Sequence, residues 1–94
     1  MRVSDIIWLP QIIDKLDWKH QVLPSEIEEV LFGKPVFRKA QKGHVPGEDV
    51  YAALGQTEAG RYLIVYFVYK ATREALILSA REMEANERNA YERR

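Results

Sequence analysis

The chain has 94 residues and a mass of 11.0 kDa, which leaves room for one hydrophobic core rather than two. Fourteen Lys and Arg balance fourteen Asp and Glu, which excludes a uniformly basic nucleic-acid coat and an acidic disordered tail. Cysteine is absent, so disulfides, thiolate metal sites and Cys nucleophiles are excluded as well. With 47% apolar residues the chain reads as one globular domain over 1–94. Its longest apolar run, Tyr62 to Tyr69, is too short to span a bilayer. The opening residues lack a signal-peptide core, so a cytoplasmic protein with no membrane partner is the expectation.

The apolar run Ile6 to Leu9 predicts a first strand, and Pro10 then opens a helix that ends near His20. Ser25 and Glu28 have the spacing of a capping box for a second helix. Ile27, Val30 and Leu31 form its core stripe, and Gly33 and Pro35 stop it. Val36 to Lys39 reads as a short edge strand, followed by a loop over Gly43 to Gly47 and a strand from Val50 to Gly55. After a turn at Gln56 to Gly60, the run Tyr62–Tyr69 reads as a strand buried on both faces. Ala75 to Ala80 returns as its hairpin partner. From Met83 the tail is helical, with Glu84–Arg88 and Arg88–Glu92 at i, i+4 spacing. The predicted order is βααββββα: an α+β domain with a small, mostly antiparallel sheet, N-terminal helices and a C-terminal helix.

The neutral total hides an uneven distribution of charge. Residues 1–33 carry three basic and six acidic groups, whereas residues 34–44 carry four basic groups and no acid. His20 and His44 stand far apart without a second His at i+3 or i+4, so no metal or other cofactor is expected. The five glycines are scattered, and no nucleophile elbow surrounds a serine. What remains is a set of cations, two histidines and several tyrosines. Metal-free RNA cleavage needs such parts: a base for the 2′-hydroxyl, cations for the charge on phosphorus, and an acid for the 5′ oxygen.

Each candidate also has a structural reading. Lys19 and His20 complement a helix C-terminus, and Arg88 makes helical ion pairs. The 34–44 segment suits a solvated loop, and the aromatics of 62–69 suit a core. Residue chemistry alone leaves the two readings open.

An ordered series runs through the chain: Trp8, Lys19-His20, Val22, Glu26, Phe32 and Pro35, then Gly47-Glu48, Tyr51, Leu54-Gly55 and Gly60-Arg61. It closes on Ser79-Ala80-Arg81 and on Glu87-Arg88 with Tyr91. Over about 85 residues this series resembles the BrnT family of bacterial toxins. The resemblance implies a RelE-like fold and a toxin of a type II toxin–antitoxin module. It further implies an endoribonuclease that inhibits translation, acts on free or ribosome-associated RNA, and is held by a cognate antitoxin. His20, Arg61, Arg81 and Arg88 are then the catalytic candidates, with His44 a second group for proton transfer. Lys19, Arg38, Lys39, Lys42 and His44 are the RNA-binding candidates.

The chain departs from the family pattern at Leu9-Pro10 and at Gln21, where a glycine is usual. Three positions that are commonly basic hold Ile12, Val50 and Leu76. Those replacements carry an alternative expectation: a RelE-like fold that has lost catalysis and binds protein or RNA.

Overall fold

A computed structural model describes residues 1–43 and 45–94. Its elements are β1 (Asp5–Ile7), α1 (Pro10–Lys15), a π-helical turn (Leu16–His20), α2 (Pro24–Phe32), β2 (Val36–Gln41), β3 (Val50–Gln56), β4 (Tyr62–Tyr69), β5 (Glu74–Glu82) and α3 (Ala85–Glu92). The five strands form one sheet in the order β1-β5-β4-β3-β2. All neighbours are antiparallel except β1 and β5, which run parallel. The fold is α+β, an arrangement consistent with the RelE-like one. Among the described residues no helix is long and apolar enough to cross a membrane.

Strand β4 sits at the centre of the sheet, as its unbroken apolar run requires. On one face Leu63, Val65 and Phe67 meet Ala53 of β3 and Ala75, Ile77 and Ala80 of β5. The helical layer covers that face with Leu16, Val22, Ile27, Val30 and Leu31. On the other face Ile64 joins Ala52, Leu54 and Tyr91, the last carried by α3. A helix thus lies on each side of the sheet, and the N-terminal layer is the larger. Gly55 sets how closely α2 approaches: a Cβ there would fall 2.9 Å from Cγ1 of Val30, which is closer than side chains pack.

Four local features differ from the sequence reading. The first strand starts and ends earlier, at Asp5–Ile7, because it adds to the edge of β5 rather than continuing to Leu9. The first helix changes to π winding at Leu16, and Gln21 closes it in the left-handed region at φ 55, ψ 42. An L-residue costs roughly 1 kcal/mol there and glycine nothing. Glycine would be relaxed at this cap.

The second helix starts at Pro24, so the Ser25–Glu28 box does not form. The Leu23 N–H instead donates to Oε1 of Glu26 at 3.0 Å, because Pro24 at the first helical position moves the frame back. Finally, β5 runs on to Glu82 rather than stopping at Ala80, with a bulge opposite Tyr66 and Phe67. That extension carries Arg81 into the sheet.

Candidate nucleic-acid site

Arg61 leaves the β3–β4 connection, which is held in one shape by Thr57. The Thr57 N–H donates to the Arg61 carbonyl at 2.8 Å, and the Gly60 N–H donates to the Thr57 carbonyl at 2.9 Å. The Arg61 N–H returns to the Thr57 hydroxyl at 3.0 Å. Gly60 takes φ 96, a value that glycine reaches without penalty. The Arg61 side chain then reaches back to the helical layer. Its Nη1 donates to both Glu26 carboxylate oxygens at 2.9 Å and to the Gln21 carbonyl at 2.8 Å. A longer contact joins Nη2 to the His20 carbonyl at 3.4 Å, and Glu82 stands 3.7 Å from Nε.

Arg81 lies opposite Ile64 in the β4–β5 pairing. Its two terminal nitrogens meet the two oxygens of Glu87 at 2.7 and 2.9 Å, a bidentate pair. Nη2 also donates to the Tyr66 hydroxyl at 3.3 Å. Glu87 has a second task, because its Oε1 accepts the Glu84 N–H at the start of α3, at 2.8 Å. One carboxylate therefore caps α3 and pins it to the sheet.

Arg88 is the most accessible of the three arginines. Its side chain is 53% exposed and pairs with Glu92 at 3.4 Å. The guanidinium lies over the Tyr62 ring, 4.0 Å from the centroid, a stacked cation–π contact. Arg61, Tyr62, Glu82, Met83 and Arg88 line one open hollow of about 330 Å³ at this end of the sheet.

The structure thus gathers Arg61 and Arg88 and leaves the other candidates apart. Arg81 is committed to Glu87. His20 reaches Arg61 through its backbone carbonyl, and its ring has no hydrogen-bond partner among the described residues. Lys19 is exposed on the π turn. In the basic segment, Lys39 pairs with Asp49 at 2.9 Å, and the other Asp49 oxygen accepts the Gly43 N–H at 2.7 Å. The Lys42 charge also acts on Asp49. The positive loop read from 34–44 is therefore partly neutralised from outside that window. Arg38 is exposed on edge strand β2 and acts electrostatically on Glu87. His44 lies outside the described residues.

Two participants were not legible as site residues: Tyr62 and Glu26. Tyr62 reads as core in any apolar run, and Glu26 meets Arg61 only through the fold.

These pairs leave a titration signature. The Arg81 guanidinium beside Glu87 holds its carboxyl below the ordinary value of 4.5. For Glu26 burial pulls upward, but the Leu23 N–H and Arg61 outweigh it and the net shift is downward. Asp49 is lowered by its hydrogen bond from Lys39. A depressed carboxylate contributes stability that is complete above its unfolded pKa and is lost as pH falls through the folded one. The melting temperature should therefore stay level through neutral pH and fall below about pH 4.5. Glu87→Gln should start lower at pH 7 and lose less on acidification, which a thermal melt series from pH 7 to 3 will measure.

No family model and no curated protein sequence matches the chain. Functional inference therefore rests on the geometry above and on the residue series.

Proposed function

We propose that this chain is the toxin half of a type II toxin–antitoxin pair, a BrnT-like protein that cleaves RNA in the cytoplasm without a metal. The observation that supports it best is the hollow shared by Arg61, Arg88 and Tyr62. Two guanidiniums and an aromatic ring are what a phosphodiester flanked by a base requires. The Arg88–Glu92 pair is solvent-exposed on both sides, so a phosphate displaces Glu92 at little cost. In the proposed reaction His20, whose backbone adjoins Arg61, takes the 2′-hydroxyl proton once RNA is bound, and the 2′ oxygen attacks phosphorus. The guanidiniums stabilise the added negative charge while the bond from phosphorus to the 5′ oxygen breaks; that oxygen takes the proton from His20, and a 2′,3′-cyclic phosphate remains.

A second reading has its own observation. Arg61, Arg81 and Arg88 each hold a carboxylate, and the first two pairs are largely shielded from solvent. This favours a binding module in which those arginines hold the fold together.

Arg88 separates the readings, because its removal disturbs only an exposed ion pair and one cation–π contact on Tyr62. Purified protein incubated with single-stranded and ribosome-bound RNA should cleave one of them. Arg88→Ala should lower the rate by about 100-fold while the melting temperature falls by only a few degrees. Binding without cleavage would support an RNA-binding module, whereas neither binding nor cleavage would reject the nuclease and leave a protein-binding module.

A further inference from the structure

A cavity of about 620 Å³ lies apart from the Arg61–Arg88 hollow and shares no lining residue with it. Leu31 and Phe32 at the end of α2 form one wall, with Pro35 and Phe37 beside them. Phe32 is 51% exposed and offers an apolar surface at the cavity wall. Arg2 and Arg73 complete the lining, and no Asp or Glu contributes to it.

These two arginines contrast with the three at the hollow. Arg61, Arg81 and Arg88 each meet a carboxylate within 4.0 Å. Neither Arg2 nor Arg73 has an ion-pair partner or a side-chain hydrogen bond among the described residues. The backbone holds Arg73 deliberately: it sits at φ 70, in the left-handed region that disfavours an L side chain. The Arg73 N–H donates to the Lys70 carbonyl at 2.8 Å. Its own carbonyl accepts the Ser4 N–H at 2.9 Å and the Ser4 hydroxyl at 3.2 Å. Asn or Gly would relax this turn, yet an arginine occupies it and lines the cavity. Tyr69 anchors the other side, its hydroxyl donating to the Arg2 carbonyl at 2.6 Å.

We infer that this cavity is a docking site for an acidic, apolar segment of a partner protein, whose carboxylates pair with Arg2 and Arg73 while a neighbouring side chain packs on Phe32 and Phe37. Charge complementarity selects the occupant. Two unpaired guanidiniums without a competing acid favour an anion, and the apolar wall favours a peptide over a phosphate chain. The site does not depend on the nuclease reading, since it shares no residue with the hollow.

Fluorescence anisotropy tests the site with a labelled octapeptide of alternating aspartate and leucine. An asparagine–leucine octapeptide and an eight-nucleotide oligouridylate serve as comparisons. The full chain should bind the acidic peptide at least about tenfold more tightly than the amide peptide, and raising the salt should weaken it. Arg73→Gly should lower that affinity about tenfold while the melting temperature holds or rises, because the left-handed strain is removed. Arg2→Ala should weaken binding similarly. Equal binding of the two peptides, tighter binding of the oligouridylate, or unchanged affinity in both variants would overturn the proposal.

Discussion

Arg61→Ala is expected to lower stability by about 2–4 kcal/mol, seen as a fall of about 10 °C or more in melting temperature. The size follows from what one guanidinium holds. Glu26 is only 17% exposed and meets Arg61 through both of its oxygens. The Gln21 carbonyl, at the left-handed end of the π turn, bonds to the same nitrogen. Truncation leaves a sheltered carboxylate and a backbone acceptor without their donor, and the helical layer loses a tie to the sheet. Arg61→Lys should recover only part of the loss, because one ammonium cannot reproduce the planar fork. A lowered RNA activity in Arg61→Ala would therefore report unfolding together with chemistry.

Phe67→Ala is expected to cost about 3–5 kcal/mol. A domain of this length has on the order of 9 kcal/mol in total, so the variant should unfold at markedly lower denaturant. Phe67 is fully buried at the centre of β4. Its ring meets Phe37 edge-on at 6.0 Å and lies near-parallel to Tyr51 at 6.2 Å. No nearby side chain is free to fill the space. Phe67→Leu keeps most of the volume and should cost less than about 1.5 kcal/mol. Urea titrations of the two variants against the parent chain measure the difference.

The parts of this fold that were legible in the sequence depend on local pattern. The Tyr62–Tyr69 run had the bounds of β4, because a stretch so uniformly apolar has only one place in a small sheet. Gly33 and Pro35 stopped α2 where α2 stops. Features that depend on distant partners were not legible. Asp5–Ile7 is a strand because β5 offers it an open edge. Glu82 extends β5 although its composition is that of a turn or a helix start.

The same distinction governs the site. Arg61, Arg81 and Arg88 were nominated as phosphate ligands on their chemistry and position in the series. Nothing in the spacing of Glu26 and Arg61, 35 residues apart, announces that they meet. Arg88–Glu92 was readable as a helical i, i+4 pair; its predicted companion Glu84 instead donates its N–H to the carboxylate of Glu87. Arg2 and Arg73 carried no signal, because a guanidinium left without an ion pair among the described residues shows only in the fold.

The parallel partnership of β1 with β5 also bears on the order in which the chain assembles. Strands β2 to β5 follow one another as a meander whose neighbours are joined by short connections, so they can pair early and at small entropic expense. Ser4 and Arg73, by contrast, meet across 69 residues. During synthesis the first strand emerges long before the edge it must join, and the helices that follow it have no sheet to cover. The N-terminal segment therefore docks last, and its docking completes the wall that holds Arg2 beside Arg73. In refolding kinetics, a mutation in β1 should speed unfolding more than it slows folding.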